Sequence, residues 1–137
     1  MKVIIAGSRK FNDYDKLKKF CEKVLANQND IEIISGKADG ADKLGERYAK
    51  EKGYILTEFP AKWKDLDAKP CFVRYDKNKE PYNVLAGLNR NEEMAKYADT
   101  LLLIWDGESK GSANMLMNAE KYLLSIYEVK VNVIRQV

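Results

Sequence analysis

The sequence predicts an α/β protein: a parallel sheet of about five strands, helices on both faces, and one long loop excursion. Three observations carry this. Short apolar runs rich in Val and Ile alternate with segments of helical spacing, the order expected of strand–helix units in a parallel sheet. The run Leu101 to Trp105 shows no in–out alternation, as in a strand buried on both faces. Glycine and serine gather after the strand-like runs and before the helical ones, where such sheets turn.

The elements follow in order. Lys2 to Ala6 reads as a buried strand closed by Gly7. Asp13 can cap a helix whose apolar positions are Tyr14, Leu17, Cys21, Val24 and Leu25. Ile31 to Ile34 is a second strand, closed by Ser35-Gly36. Ala41 to Lys52 is helical, with Leu44, Tyr48 and Ala49 on one side and Gly53 as its stop. Tyr54 to Phe59 is a third strand, ended by Pro60, and Leu101 to Trp105 a fourth. Ser112 to Ser125 reads as a helix with Ala113, Leu116, Met117, Leu123 and Leu124 inward, and Val129 to Ile134 as a fifth strand. The segment 61–88 stands apart, with Trp63, two prolines and a polar tract from Asp76 to Glu80; it reads as one long binding loop or lid inside a single domain, 1–137.

Composition narrows the chemistry. The 24 basic and 21 acidic residues are interleaved and give +3, with no basic block of the kind that marks a nucleic-acid tail. No apolar run is long enough for a signal sequence or membrane span, and the two cysteines, Cys21 and Cys71, make no disulfide framework. A cytoplasmic protein without membrane contact is the expectation. Without any histidine, Ser-His-Asp and Cys-His catalysis and histidine-ligated metals are excluded, and no metal or required cofactor is expected.

Four turns hold the unusual residues: Gly7-Ser8-Arg9, Ser35-Gly36-Lys37-Ala38-Asp39-Gly40, Asn89-Arg90-Asn91 as a helix opening, and Ser109-Lys110-Gly111-Ser112. In a parallel sheet the strand C-termini share one edge, so these turns should converge on one crevice. Free N–H groups at helix N-termini, close backbone approach at glycine, the hydroxyls of Ser8, Ser109 and Ser112, and the charges of Arg9, Lys37, Arg90 and Lys110 make an anion site, best suited to phosphate. Each turn alone is more often a structural cap. Asp39, Asp42 and Asp106 would repel phosphate unless paired, capping, or facing sugar hydroxyls; for Asp42 a cap or ion pair is the expected role. There is no GxxxxGK[ST] and no GxGxxG after the first strand, which argues against P-loop and ordinary dehydrogenase chemistry.

The blocks "IIAGSR", "SGKADGADKLGERYAKEKG", "FPAKW", "YNVLAGLNRNEEMAKYADTLLLIWDG" and "SKGSANM" resemble, in order and over nearly the whole chain, the YspA branch, related to the YpsA group, of the SLOG superfamily (named for SMF/DprA and LOG proteins). The resemblance implies a Rossmann-like fold, a nucleotide-derived ligand related to NAD, ADP-ribose or cyclic nucleotides, bacterial or phage origin with a link to anti-phage immunity, and a homodimer or higher oligomer. Gly7, Ser8 and Arg9 match its first block; Gly36, Ala38, Gly40, Ala41 and Asp42 the second; Gly87, Arg90, Asn91 and Met94 the third; Ser109, Gly111 and Ser112 the fourth. Lys37 stands where the family often has glycine, and Asp39 where a basic or another polar residue is common. Trp63 matches an aromatic that either stacks on a base or packs the loop.

LOG relatives release a base from a nucleoside monophosphate and pair an arginine with a glutamate; Arg90 keeps the arginine setting, but Met115 occupies the glutamate position. A thioether can neither activate water nor stabilise an oxocarbenium-like centre. The leading expectation is therefore a small-molecule nucleotide binder, acting as sensor or sequestering protein, with no catalytic residue assigned. The alternative is an N-glycosidic or phosphoester hydrolase using Arg90 with Asp106 or Asp42. A DprA-like single-stranded DNA binder is the third reading. The small net charge and the lack of aromatic–basic interleaving weigh against it, and nucleic acid is not expected as a partner.

Overall fold

The computed structural model describes residues 1–132. The elements are β1 (Lys2–Gly7), α1 (Tyr14–Leu25), β2 (Glu32–Ser35), α2 (Ala41–Lys52), β3 (Ile55–Glu58), β4 (Val73–Tyr75), β5 (Pro81–Asn83), α3 (Ala86–Tyr97), β6 (Thr100–Trp105), α4 (Lys110–Lys121) and β7 (Ser125–Lys130). Five strands form one sheet in the order β3-β2-β1-β6-β7, with every adjacent pair parallel. This is the α/β Rossmann-like architecture that the sequence predicts. The chain leaves β1 toward β2 and β3 on one side and returns to β6 and β7 on the other. The C-termini of β1 and β6 therefore flank the topological switch point, where a crevice opens.

Alternate residues of the central strands face opposite layers. Val3, Ile5, Ile33, Leu102 and Ile104 pack with Leu17, Cys21 and Leu25 of α1 and Tyr48 and Ala49 of α2. Ile4, Ala6, Ile34, Leu101, Leu103 and Trp105 pack with Met94 and Ala95 of α3 and Met115 and Ala119 of α4. All six residues of β6 are buried, which explains the missing alternation in its sequence. Asp13 caps α1 by accepting the Lys16 N–H, and Gly53 ends α2 in the left-handed region at φ 72°.

Several boundaries differ from expectation, among them the start of α4, at Lys110 rather than Ser112. The helix expected to reach Ser125 ends at Lys121: Leu123 adopts φ 60° and is 89% exposed, and β7 begins at Ser125. The expected strand Val129 to Ile134 thus starts four residues earlier, and its residues 133–134 lie outside the described ones. Segment 61–88 is not purely loop, since β4 and β5 pair as an antiparallel ribbon within it. The helix after it opens at Ala86 rather than at Asn89, so Arg90 sits in its second turn and acts through its side chain alone. Among the described residues, no helix is long and apolar enough to cross a membrane.

Candidate functional site

The crevice begins where β1 leaves the sheet. A Cβ built on Gly7 would stand 1.7 Å from Ile104 O, so only glycine lets β1 pass this close to β6. Ser8 is buried and tied on every side. Its N–H donates to Ile104 O at 3.0 Å, its carbonyl accepts from Phe11 N and Ala41 N, both at 3.2 Å, and its Oγ accepts the Asp106 N–H at 3.1 Å. Gly40, at φ 77°, brings the start of α2 against this turn; a Cβ there would meet Ser8 O at 2.2 Å. Arg9, next in the chain, is exposed and forms no ion pair among the described residues.

The second turn spends its charge on the protein. Lys37 Nζ lies 3.2 Å from a carboxylate oxygen of Glu46 and 3.2 Å from one of Glu58, so its cation is neutralised. Ser35 Oγ donates to Glu46 at 2.6 Å and accepts the Lys37 N–H at 3.0 Å. Burial opposes ionisation of Glu46, but the hydrogen bonds from Ser35 and Lys37 outweigh it and hold the carboxyl below its usual range. Lys37 also takes φ 60°. That left-handed backbone is the physical reason a glycine suits this position.

Asp42 and Arg90 face each other across Gly36. A point where Cβ would stand on Gly36 lies 2.9 Å from Arg90 Nη1 and 3.0 Å from Asp42 Oδ2. Both side chains are buried, at 5% exposure for Asp42 and 9% for Arg90. Asp42 accepts the Ala38 N–H at 3.3 Å. Burial pushes its carboxyl up to about 6, against the pull of Arg90 and of the backbone donors Ala38 and Gly7. Arg90 is held by Gly36 O, which accepts from Nη1, and by Asn91 Oδ1, which accepts from Nε at 3.1 Å. Burial lowers the guanidinium below its usual value, Asp42 raises it, and Arg9 lowers it further. At neutral pH it stays charged. Among the described residues, Nη2 makes no hydrogen bond to the protein.

Three adjoining cavities meet at Arg90. The first, ≈ 150 Å³, is lined by Gly7, Arg9, Asp42, Arg90, Asn91, Ser109, Gly111, Ser112 and Met115, with Ala6, Ala38 and Met94. The second, ≈ 270 Å³, lies between Arg9, Gly36, Lys37, Ala38, Asp39, Arg90 and the excursion residues Pro60, Ala61 and Trp63. The third, ≈ 260 Å³, runs between α3 and the excursion, with Lys62, Asp65, Lys69, Asn83, Asn89 and Glu93 in its wall. Most of the residues singled out from sequence therefore converge. Ser8, Ser35, Gly40, Asp106 and Lys110 line none of these three cavities. The first four shape the turns, and Lys110 is exposed at the start of α4. Asp106 Oδ1 accepts from Glu108 N at 2.9 Å and Ser109 N at 3.0 Å. Ser109 Oγ accepts the Ser112 N–H and caps α4. Asn91 bridges helices, donating to Gly111 O at 3.3 Å and Asn114 Oδ1 at 3.0 Å.

Asn83 escaped the sequence reading. It is fully buried; its Oδ1 accepts from Phe72 N at 3.1 Å and Leu85 N at 3.0 Å, and its own N–H donates to Trp63 O at 2.8 Å. It folds the excursion back on itself and so sets Trp63 beside the crevice. An asparagine in a polar stretch carries no sequence signal for this role.

A doubly wound parallel sheet with a crevice at its switch point places the chain in the class of open α/β domains, which bind ligands at that edge. Residues 1–65 match the YAcAr family, the YspA, cpYpsA-related SLOG family. The resemblance read from sequence therefore stands on that span, which carries β1 to β3 and the first two turns. Two solved structures share the fold. DNA processing protein A (DprA) from Streptococcus pneumoniae superposes with a TM-score of 0.68 at 19% identity, over 96% of this chain and 51% of that one. DNA processing protein A from Helicobacter pylori superposes with a TM-score of 0.63 at 20% identity, over 97% of this chain and 66% of that one. This chain thus spans about half to two thirds of their lengths. No curated protein matches it. At 19% and 20% identity, the two neighbours share the fold of this chain.

One expectation falls here. Nucleic acid was not expected as a partner, yet the Helicobacter pylori neighbour is described by its single-stranded DNA binding mode. Aromatic and basic side chains do interleave, locally, on the excursion. Trp63, Phe72 and Tyr75 are exposed on the excursion and interleave with exposed Lys62, Lys64, Arg74 and Lys77. The Arg74 guanidinium lies 5.5 Å from the centre of the Phe72 ring. Whole-chain net charge hid this local pattern.

Proposed function

We propose that the crevice binds the phosphate of a nucleotide-derived small molecule, of the NAD, ADP-ribose or cyclic-nucleotide kind, and that the protein acts as a sensor or sequestering protein. The observation that carries this reading is Arg90: a buried guanidinium at the junction of three cavities, beside Arg9, with Nη2 unspent and Arg9 unpaired among the described residues. Two converging guanidiniums suit phosphate oxygens. Each cavity is smaller than the ~300 Å³ at which ordinary small-molecule sites begin. A nucleotide-sized ligand would therefore span Arg90, with its phosphate there and a base beside Trp63. Calorimetric titration with NAD, ADP-ribose and cyclic nucleotides, followed by chromatography of the recovered ligand, tests it. Binding with intact recovery, lost in Arg90→Ala, is the expected result. Failure of every species to bind would sink the reading.

A second reading is a single strand of nucleic acid, favoured by the exposed aromatic and basic side chains of the excursion. A titration with an oligothymidylate at two salt concentrations separates it from the first. Salt-sensitive binding, weakened by Trp63→Ala and Tyr75→Ala, is the outcome it requires.

A further inference from the structure

We infer that Asp42 makes this crevice selective for a phosphate bearing one negative charge, a diester or the internal unit of a pyrophosphate, over a terminal phosphate monoester. The inference rests on the reading of the crevice as a phosphate site and adds the chemical class of that phosphate. The charges decide it. Arg9 and Arg90 line the first cavity with a single carboxylate, Asp42. Lys37 is neutralised by Glu46 and Glu58 and supplies nothing further. The first cavity therefore carries one net positive charge, and Asp39, exposed beside the second cavity, adds a negative one rather than offsetting Asp42. A diester carries one negative charge at neutral pH, while a terminal monoester carries about 1.5 to 2. The extra charge would be held against a carboxylate that is 95% removed from solvent, where repulsion is weakly screened.

The groups that face Asp42 leave it no other neutralising partner. Arg90 approaches from α3, and Glu46, one turn further along α2, adds repulsion. Arg9 stands on the β1–α1 turn, and the α4 cap Ser109 and the α4 residues Gly111, Ser112 and Met115 in the same cavity are uncharged. Asp42 accepts its own hydrogen bond from Ala38 N and closes no ion pair with Arg90 among the described residues, and both arginines line the cavity. A monoester enters only if Asp42 or the phosphate takes up a proton. Burial already favours that protonation of Asp42.

The test compares matched probes on the intact chain at pH 7.5: the 5′-monophosphates of the common nucleosides and their methyl diesters. Wild-type protein should prefer the diester on the order of ten-fold, the equivalent of one pKa unit of repulsion. Asp42→Asn keeps the shape, removes the charge, and should close the gap by tightening the monoester. Equal or tighter monoester binding by wild type overturns the inference, and needs no variant to show it. A preference that persists unchanged in a folded Asp42→Asn protein also overturns it. If neither probe nor an oligothymidylate without terminal phosphates binds, the functional reading itself fails and takes this inference with it. If the oligothymidylate binds through Arg90 and the methyl diesters do not, the selectivity stands and a strand is the source of the diester.

Discussion

Ser8 Oγ accepts the backbone N–H of Asp106 at 3.1 Å, a bond that ties the exits of β1 and β6 together across the switch point. Both residues, candidates for the site by sequence, thereby build the floor of the crevice. Ser8 fixes the turn, and Asp106 spends Oδ1 on two backbone donors of its own turn. Ser8→Ala removes the Oγ acceptor from the part-buried Asp106 N–H. The expected cost is about 1–3 kcal/mol in urea unfolding. A loss under roughly 0.5 kcal/mol would mean that another group serves the Asp106 amide equally well.

Lys37 sets strain against ion pairing. A left-handed backbone costs a non-glycine residue about 1–2 kcal/mol. The pairs with Glu46 and Glu58 return little, because Lys37 is partly exposed and such pairs contribute about 0–1 kcal/mol. Lys37→Gly relieves the strain while losing the pairs and should stay within about 1 kcal/mol of wild type. Lys37→Ala keeps the strain and loses the pairs, so it should be less stable than the glycine variant by about 1 kcal/mol. Thermal unfolding of the three proteins side by side gives the order, and an alanine variant as stable as the glycine one contradicts it.

The legible parts of this protein are those where burial dictates residue type. The central strands announced themselves because both faces are covered, and the crevice because glycine, serine and arginine punctuate the strand ends. What stayed hidden lacks a local cause. α4 stops at Lys121 with neither glycine nor proline; Leu123 at φ 60° makes the corner, yet Leu123-Leu124 continues the helical spacing. α3 starts at Ala86 without a side-chain cap at Leu85, so the polar Asn89-Arg90-Asn91 looked like the opening. β4 and β5 have three residues each and β4 is exposed throughout, which leaves no periodicity to read. Which serines and lysines of the crevice are free is a matter of partners remote in sequence, and no turn motif carries that.

Asn83 should act on the excursion and not on the sheet. Asn83→Ala strips two backbone donors, Phe72 N and Leu85 N, of their acceptor and leaves a void at a fully buried site. Each unsatisfied donor costs about 1–3 kcal/mol. β4 and β5 pair chiefly with each other and not with the five-stranded sheet, so the loss should appear as local opening. Hydrogen exchange is expected to accelerate across residues 63–85 while β1 and β6 keep their protection. Uniform acceleration over the whole chain would show instead that the excursion and the sheet unfold as one unit.

Asp42 gives the stability of the protein a pH dependence of unusual sign. Its folded carboxyl is raised from 3.8 to about 6, so between those values the folded state holds a proton that the unfolded chain has released. Stability from this group is therefore lost as pH rises through that window, and the full penalty is present above it. Glu46, Glu32 and Glu51 shift the other way and contribute stability that is lost on acidification, so the wild-type curve alone mixes both signs. The difference between Asp42→Asn and wild type isolates the Asp42 part, because asparagine mimics the protonated carboxyl toward Arg90. That difference should move in favour of the variant by on the order of 3 kcal/mol between pH 4 and pH 7.5, the equivalent of about two pKa units. Urea unfolding of both proteins at several pH values measures it. A flat difference would mean that Asp42 titrates near its ordinary value in the folded protein, and that burial does not set the charge of the crevice.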